Sequence, residues 1–479
     1  MISRMSNHDQ ANTQLLARSL AAVWHPCSQM KHYENFPLLP IARGSGVWLY
    51  DFGGKRYLDA VSSWWVNLFG HCNPRINAAL RDQLETLEHV MLAGFTHEPV
   101  VRLSERLIAL APKGLGHCFY ASDGASATEI ALKMSAHYWR NSGKPDKTQF
   151  ISLENSYYGE TLGALSVTDV ALFRDAYGAL IRQQATVPSP DWRKAVAGES
   201  SEAYAIRCAA ALEQHLQQHH AQLAAFIIEP LVQGAAGMAM YHPIYLRRAR
   251  QLCDEYGVHL IADEIAVGMG RTGTMFACEQ APKNPPSPPF YKGGADDGTP
   301  GVVATPPFAK GGQGGICPDF LLLSKGITGG YLPLSVVMTR DEVFQAFYSD
   351  EVARGFLHSH SYTGNPLACR AALATLDIFA QDNVLAANRD KAAYLNGIAR
   401  PLREHRAVRG WRNIGMIWAF EVASPHRDFS QRCFALALKN ELLLRPIGNT
   451  VYFMPPYVIS NEEMDLLVSR TLSIIDQLS

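Results

Sequence analysis

The sequence lacks three features that would point towards whole classes of protein. No C-x-x-C pair occurs among its nine cysteines, and their scatter argues against both a zinc site and a disulfide framework. The formal net charge is only -1, so there is no electrostatic reason to expect nucleic acid or an acidic membrane as a partner. No apolar run approaches the roughly 20 residues that a membrane-spanning helix needs.

Two further absences narrow the candidate functions. The N-terminal residues lack the apolar core of a secretory signal, and with the cysteines interpreted as reduced thiols we expect a cytoplasmic protein. No G-x-G-x-x-G follows a predicted strand and opens a helix, which ranks a nucleotide-binding dehydrogenase last. What the chain does have is size: 479 residues, 47% of them apolar, suffice for two domains or for one large domain with a smaller appendage.

From about residue 117 onwards, short apolar runs alternate with amphipathic stretches. The runs predict buried strands at 117–122, 148–154, 224–232, 258–265, 319–324 and 333–339. Helical spacing is present at 128–139 and 243–257, and Gly257 is a typical residue just past a helix end. Apolar strands that alternate with helices predict an α/β fold whose mostly parallel sheet is covered on both faces.

The pattern changes after a long helix predicted at 365–381, where short strands and helices alternate. We predict an N-terminal segment over residues 1–65 that packs with a small α+β domain over 366–479, and a large domain over 66–365. Residues 39–60 are predicted to form a hairpin. Its two turns are predicted at Arg43–Gly46 and Phe52–Gly54.

Residues 282–316 do not fit this alternation. Proline and glycine dominate them, and the segment repeats itself, with PPFYKGG at 288–294 and PPFAKGG at 306–312. Such a composition cannot form a core. We therefore interpret the segment as an inserted, solvent-exposed and largely disordered loop, with a functional lid as the alternative.

Asp263 follows four residues of a predicted buried strand, HLIADEI. The end of a buried parallel strand is where α/β folds bind ligands. By itself this carboxylate could simply cap a loop. It is also placed to pair with the pyridinium nitrogen of pyridoxal phosphate and keep that ring protonated.

Lys325 comes directly after the predicted strand DFLLLS and is followed by Gly326, Gly329 and Gly330. Most lysines are solvated surface charges. A lysine at a strand end beside small residues instead suits covalent attachment to a carbonyl cofactor, since glycines allow a close approach. A ligand could then lie between Lys325 and Asp263.

The segment SDGASATE, residues 122–129, joins a predicted strand to a predicted helix. Ser126 and Glu129 match a capping box, which predicts that the helix begins near Ala127. The free N–H groups and the dipole of such a helix start make it a candidate phosphate site. An ordinary glycine turn is the alternative.

Several motifs, in the right order, resemble those of the class III aminotransferases, which have pyridoxal-phosphate fold type I. They are LIADEIAVGMGRTG (260–273), the lysine after LLLS, and SYTGNPLAC (361–369). The resemblance covers essentially the whole chain apart from the Pro/Gly-rich insert. It implies pyridoxal 5'-phosphate as cofactor, carried by Lys325, with Asp263 at the ring nitrogen.

Further motifs resemble the family members that aminate 8-amino-7-oxononanoate in biotin synthesis. They include AVSSWWVNLFGH (60–71), NSYYGETLGALSV (155–167) and LRPIGNTVYFMPPY (444–457). For the cofactor, the resemblance implies catalytic and stacking roles for Tyr157, and phosphate binding by Gly124, Ala125 and, from the neighbouring subunit, Ser361. For the substrate, it implies binding by Trp64, Tyr157, Lys325, Ser359 and Arg445.

The chemistry agrees with these roles, because an apolar chain that ends in a carboxylate needs an apolar wall and a planar cationic donor. Taken alone, Trp64 would be interpreted as a core aromatic and Arg445 as part of a surface ion pair. The implied reaction is ping-pong transamination to 7,8-diaminononanoate by a homodimer with its sites at the interface, without a metal. The implied donor is S-adenosylmethionine. Cys27, where the family often has tyrosine, leaves another amine such as lysine open.

Two alternative functions remain at this point. One is another class III transaminase, acting on ornithine, 4-aminobutyrate or a general ω-amine, which the SSWW and RPIGNTVYFMPPY motifs disfavour. The other is a non-catalytic protein on the same fold, which an intact pair of Asp263 and Lys325 disfavours.

Overall fold

The computed structural model describes residues 7–34, 36, 38–281 and 315–479. The insert predicted at 282–316 therefore lies outside the described residues, apart from Gly315 and Ile316. All nine cysteines are described, and each is a free thiol. Within the described ranges, no helix combines the length and the apolar character needed to cross a membrane.

The described residues form α-helices, six short 3-10 helices and sixteen strands. The α-helices are Asn7–Ala22, Pro74–Leu84, Glu98–Leu110, Gly124–Asn141, Leu162–Val167, Ala171–Arg174, Ser201–His219, Ile244–Tyr256, Asp341–Gln345, Pro366–Gln381, Val384–Ile398, Arg400–Arg403, Phe429–Lys439 and Asn461–Leu478. The strands are β1 Ile41–Ser45, β2 Trp48–Asp51, β3 Arg56–Asp59, β4 Leu115–Ala121, β5 Gln149–Leu153, β6 Ala185–Val187, β7 Leu223–Ile228, β8 Val232–Gln233, β9 Ala239–Met240, β10 His259–Asp263, β11 Phe320–Leu323, β12 Ser335–Arg340, β13 Val408–Ile414, β14 Ile417–Val422, β15 Leu442–Leu443 and β16 Thr450–Phe453.

The chain divides into two compact units. The first contains the residues up to Asn77 together with Ala386–Arg412 and Met416–Ser479, and the second contains Ala78–Leu385 and Asn413–Gly415. The sequence-based boundaries, after residues 65 and 365, stay a prediction.

The second unit is built on a seven-stranded sheet in the order β4-β12-β11-β10-β7-β5-β6. Strands β11, β10, β7, β5 and β6 are parallel neighbours, and β12 runs antiparallel to both β11 and β4. The predicted α/β fold with a mostly parallel sheet is thus confirmed. Every residue of β7, β10 and β11 is buried, as strands covered on both faces require.

A glycine and an N-cap side chain explain where two helices of this unit end and begin. Ile244–Tyr256 ends at Gly257, whose φ of 58° lies in the left-handed region that glycine adopts without a Cβ clash. Pro366–Gln381 begins after Asn365, whose side chain accepts the Ala368 N–H. Gly124–Asn141 packs Ile130 and Met134 into the same core cluster as Ile227 of β7 and Phe320 of β11.

One predicted strand of this unit was too long. The run 224–232 leaves the sheet after Ile228 and resumes only as β8. Pro230 has no N–H to donate to a neighbouring strand, and Leu231 has a φ of 66°. The break leaves Glu229 at the carboxyl end of β7.

The first unit contains two small sheets and the helices around them. One sheet has the order β1-β2-β3-β15 and the other β13-β14-β16. The predicted hairpin over 39–60 is present as β1, β2 and β3, but β1 extends to Ser45, so the first turn lies later than Arg43 and centres on Gly46 and Val47. Gly46 has a φ of 58°, which suits the tight connection.

Candidate active site

Asp263 and Lys325 lie at the carboxyl ends of neighbouring parallel strands in the second unit. Asp263 is the last residue of β10 and pairs in register with Leu322 of β11, and Lys325 follows two residues after β11 ends. The Glu264 N–H donates to the Leu322 carbonyl oxygen at 3.0 Å, which holds the two segments together beyond the strands. This edge of a parallel sheet is a ligand-binding edge in α/β folds.

Burial controls the proton affinity of both groups. It raises the pKa of the Asp263 carboxyl, a rise opposed by a hydrogen bond from the Ile265 N–H at 2.9 Å and by the Lys325 charge. It also lowers the pKa of the Lys325 amine, a fall opposed by Asp263 and Glu229. A lysine with a lowered pKa is more available as a nucleophile and base near neutral pH.

Glu229 is a third titratable group at this edge, and sequence reasoning did not single it out. It follows β7, the strand next to β10, and its side chain is buried. Its carboxylate accepts the N–H groups of Gly234 at 2.9 Å and Tyr157 at 3.3 Å. Burial raises its pKa to about 8, and Asp263 adds to the rise. The rule that selected Asp263, a carboxylate straight after a buried strand, could have found Glu229 as well.

The helix that follows β4 begins differently from the prediction. Its N-cap is Asp123, whose carboxylate accepts the Ser126 N–H at 2.9 Å and the Ser126 hydroxyl at 2.8 Å, so the helix starts at Gly124. The capping box proposed for Ser126 and Glu129 is therefore wrong. Asp123 reaches the same N–H first, and Glu129 instead accepts the Gly163 N–H at 2.7 Å.

The helix start, the loop after β10 and the loop that carries Tyr157 lie close together. A Cβ on Gly124 would lie 3.1 Å from the Ile265 side chain, two residues after Asp263. A Cβ on Gly159 would lie only 2.5 Å from the Ala125 Cβ. Because Tyr157 also donates its N–H to Glu229, the structure brings five predicted residues to one edge of the sheet. They are Gly124, Ala125, Tyr157, Asp263 and Lys325.

The Tyr157 side chain is partly buried and is held from two sides. Its hydroxyl donates to Glu160 Oε1 at 2.9 Å, and its ring meets Phe173 edge-on with centroids 5.4 Å apart. These contacts fix the position of the Tyr157 ring.

Ser359 and Ser361 lie in the segment that leads into the turn at 361–364 of the second unit, and within the described part of the chain no hydrogen bond joins either serine to this cluster. Ser359 and Ser361 are both exposed. The turn is closed by Thr363, whose hydroxyl accepts the His360 N–H at 3.1 Å and donates to the His360 carbonyl at 2.8 Å. The two serines are thus presented on a fixed turn at the surface of this unit.

Trp64 and Arg445, both predicted to bind substrate, meet within the first unit. The Arg445 guanidinium carbon lies 4.4 Å from the centroid of the Trp64 ring, a cation–π contact. Arg445 is exposed, and Trp64 retains 44% of its accessible surface. The pair offers an apolar ring and a planar cation side by side.

The backbone of Ser62–Trp65 is left-handed at each of its four residues, with φ between 46° and 73°. For non-glycine residues this costs roughly 1–2 kcal/mol each. Sequence reasoning did not anticipate it.

No group of three or more histidine, cysteine, aspartate or glutamate side chains suited to a metal ion occurs in the part of the chain that the structure describes. The titratable cluster at the sheet edge consists instead of two carboxylates and one amine. This composition fits an organic cofactor that bonds to an amine.

Comparison with known proteins adds independent findings. The family model for class III aminotransferases matches residues 29–287 and 301–475. The adenosylmethionine-8-amino-7-oxononanoate aminotransferase of Helicobacter pylori is 44% identical over 97% of this chain and 98% of its own length.

Two solved structures have the same fold over nearly the whole chain. The adenosylmethionine-8-amino-7-oxononanoate aminotransferase of Methanocaldococcus jannaschii has a TM-score of 0.85 and 31% identity, covering 98% of this chain and all of its own. An (S)-enantioselective omega-transaminase from Thermomicrobium roseum also has a TM-score of 0.85, with 28% identity, covering 97% of this chain and 98% of its own.

Proposed function

This chain belongs to the class III aminotransferases, and we propose that it aminates 8-amino-7-oxononanoate to 7,8-diaminononanoate in biotin biosynthesis. The relative that is 44% identical and named for this substrate supports the choice within the family. The observation that carries the proposal is the contact of Trp64 with Arg445. An apolar ring beside an exposed guanidinium suits a chain that is apolar along its length and ends in a carboxylate.

We further propose pyridoxal 5'-phosphate as the cofactor, and the residues at the sheet edge fit it. The cofactor requires an amine to bond to, an acid for its ring nitrogen and an anion site for its phosphate. Lys325 offers a buried amine and Asp263 a buried carboxyl on the neighbouring strand. Gly124 and Ala125 begin an 18-residue helix, whose N-terminal N–H groups favour an anion.

In the mechanism, the bound cofactor supplies an electron sink that stabilises negative charge on the carbon next to the transferred amine. Asp263 would hold a proton at the ring nitrogen of that cofactor. The Lys325 amine, whose pKa is lowered by burial, would act as the base that accepts the proton from the substrate carbon. Tyr157 offers its ring as a stacking surface, positioned by Glu160 and Phe173.

A homodimer is proposed as the assembly, with Ser361 contributing to the phosphate site of the neighbouring subunit and Ser359 to substrate binding. The second unit supports a dimer with an exposed apolar patch. His89 and Tyr362 are in ring contact, and the Asn365 amide donates to the Glu88 carbonyl, so segments 84–95 and 357–365 lie together. Their exposed apolar side chains are Leu84, Met91, Phe95, Leu357 and Tyr362. A patch of this kind typically marks a protein interface.

S-adenosylmethionine is the proposed donor, by analogy with the names of the relatives. A donor panel with 8-amino-7-oxononanoate as the acceptor tests this assignment. We expect 7,8-diaminononanoate to form with S-adenosylmethionine and not with lysine. If 7,8-diaminononanoate forms with lysine and not with S-adenosylmethionine, the donor is lysine. If it forms with no donor, the proposed function is contradicted.

An ω-amino-acid or diamine transaminase remains the second candidate, because the omega-transaminase structure superposes with the same TM-score. The test is an acceptor panel with pyruvate and succinic semialdehyde beside 8-amino-7-oxononanoate. Faster turnover of either small acceptor would favour this alternative. A cytoplasmic location is proposed from the nine free thiols, which reducing compartments maintain.

A further inference from the structure

The left-handed segment Ser62–Trp65 is the most strained backbone in the first unit. Four consecutive non-glycine residues have positive φ, which persists only where the surroundings over-determine the conformation. Two anchors come from the segment that contains β16. The Ser62 hydroxyl donates to the Met454 carbonyl at 2.7 Å, and Trp65 Nε1 donates to the Tyr452 hydroxyl at 3.1 Å.

A third anchor is Asp59, the last residue of β3, whose side chain is fully buried. Its Oδ1 accepts the Ser63 N–H at 3.0 Å and the Val61 N–H at 3.3 Å, and its Oδ2 accepts the Ser63 hydroxyl at 2.7 Å. One carboxylate thus binds both the backbone N–H and the side-chain hydroxyl of Ser63, the residue before Trp64.

His71 completes the arrangement. Its Nε2 lies 3.0 Å from Asp59 Oδ2, and its Nδ1 lies 3.2 Å from the Asn67 side-chain nitrogen. Because the Asn67 amide donates to Nδ1, the Nε2 of a neutral His71 carries the hydrogen and donates to Asp59. The Asp59 carboxylate therefore has four donors, all from residues 61–71, and is fixed in place by them.

The left-handed turn determines where the rings of Trp64 and Trp65 point. Trp65 is buried and anchored, whereas the adjacent Trp64 remains exposed, with its ring against the Arg445 guanidinium. A right-handed turn would direct the two rings differently, so the contact of Trp64 with Arg445 depends on the left-handed backbone. We propose that Asp59 is a positioning residue for carboxylate recognition: it maintains the left-handed turn that places Trp64 against Arg445 and so pre-orients the guanidinium.

This inference rests on the proposed function, in which Arg445 receives the substrate carboxylate. Pre-orientation reduces the freedom that a flexible arginine loses on binding. Loss of Asp59 should therefore weaken binding of the carboxylate without impairing the chemistry at Lys325.

The first experiment compares wild type, Asp59→Asn, Asp59→Ala and Ser63→Ala, with Asp51→Asn as the matched control. Asp51, in β2 of the same sheet, accepts from the Lys55 N–H and the Tyr57 hydroxyl, outside the turn. We expect the KM for 8-amino-7-oxononanoate to rise about tenfold in the Asp59 variants and less in Ser63→Ala, which keeps its N–H. The kcat and the KM for the donor should change less than about twofold, and Asp51→Asn should behave as wild type. Equal losses in kcat and in both KM values would indicate general damage and overturn the proposal.

A second readout does not require turnover. Nonanoate, an apolar chain with one carboxylate, is titrated calorimetrically into each variant and into Arg445→Ala. Weaker binding in Arg445→Ala together with wild-type binding in Asp59→Asn would overturn the inference and leave the proposed function standing.

A third readout covers the case in which the wild type neither uses 8-amino-7-oxononanoate nor binds nonanoate. The proposed function then fails, but the turn can still be tested by fluorescence. The emission of Trp64 is obtained by subtracting the spectrum of Trp64→Phe from that of the wild type. Acrylamide should quench this emission more strongly in the Asp59→Asn background than in wild type. Equal quenching would overturn the role of Asp59, and should the Asp59 variants not fold, the milder Ser63→Ala is measured in the same way.

Discussion

In the proposed mechanism the chemistry depends on Lys325, and its attachment to the cofactor can be tested directly. We expect the purified protein to be yellow and, after borohydride reduction, to yield one peptide labelled with a pyridoxyl group at Lys325. Burial lowers the pKa of this amine, which favours its reaction over that of the solvated lysines. Peptide mapping by mass spectrometry measures the label. A label on Lys147, a second lysine whose pKa burial lowers to about 8, would contradict the assignment.

Glu229 gives a prediction about stability and pH. Its pKa in the folded protein is raised to about 8, so the folded state holds a proton that the unfolded chain releases near 4.5. Protonated Glu229 stabilises the folded state fully below pH 4.5, and this stabilisation is lost as the pH rises from 4.5 towards 8. Between pH 5 and 7 the loss amounts to about 2–3 kcal/mol.

Glu229→Gln should remove this loss, since the amide does not titrate. The measurement is urea unfolding of the cofactor-free protein at pH 5, 6 and 7, with Glu105→Gln as the control at an exposed glutamate. The unfolding free energy of Glu229→Gln relative to wild type should increase with pH. Parallel pH profiles would show that Glu229 is ionised in the folded protein.

The sequence predicted the position of a single side chain correctly where an apolar run placed that side chain at the end of a strand. Asp263 and Lys325 each follow an apolar run, and parallel strands align their carboxyl ends, so convergence followed from chain order alone. The left-handed Ser62–Trp65 segment could not be predicted in this way. Serine and tryptophan avoid positive φ locally, and two of the three anchoring partners, Tyr452 and Met454, lie 387 and 392 residues away in sequence.

At the level of elements, the loop that carries Tyr157 and the helix that begins at Gly124 are packed without room for one more carbon. Gly159 has a φ of 118°, and a Cβ there would overlap Ala125. Gly159→Ala should therefore displace the helix start and weaken cofactor binding by about tenfold or more, since ordinary core overpacking already costs 1–3 kcal/mol.

The control for this prediction is Gly143→Ala. Gly143 also has a positive φ, of 77°, but a Cβ there would meet nothing within 4 Å, so it isolates backbone strain from the clash. Equilibrium titration of each cofactor-free variant with pyridoxal phosphate gives the dissociation constants. Similar affinities for the two variants would show that contact between Gly159 and Ala125 does not shape the site.

The helix start also shows why a sequence motif can mislead. Ser126 and Glu129 have the spacing of a capping box, but Asp123 stands three residues before Ser126 and is itself a strong N-cap residue. Once Asp123 accepts the Ser126 N–H, Glu129 lies within the helix and is free to bind the Gly163 loop. The local sequence fitted two overlapping N-caps, one at Asp123 and one at Ser126, and did not show which of them forms.

At the scale of the whole molecule, the fold class followed from the alternation of strands and helices, whereas the Pro/Gly-rich segment did not belong to that pattern. The family model leaves residues 288–300 unmatched, within this segment. The described residues on either side of it lie close together. The Ile316 N–H donates to the Cys278 carbonyl at 3.2 Å, and a Cβ on Gly315 would lie 2.5 Å from the Glu279 Cα.

Deleting residues 284–314 should therefore leave fold and activity nearly intact. The two flanks are already adjacent, and Ala281 and Ile316 are both buried, so a short connection closes the chain without moving β10 or β11. Shortening a long loop lowers the entropy cost of closure only logarithmically, so the unfolding free energy should rise by no more than about 2 kcal/mol. Thermal unfolding and steady-state kinetics of the deletion variant, compared with a variant in which the same length is replaced by Gly/Ser repeats, measure both effects. If the deletion variant and the Gly/Ser variant both fold normally but lose most of their kcat, the natural segment contributes to activity and the prediction is wrong.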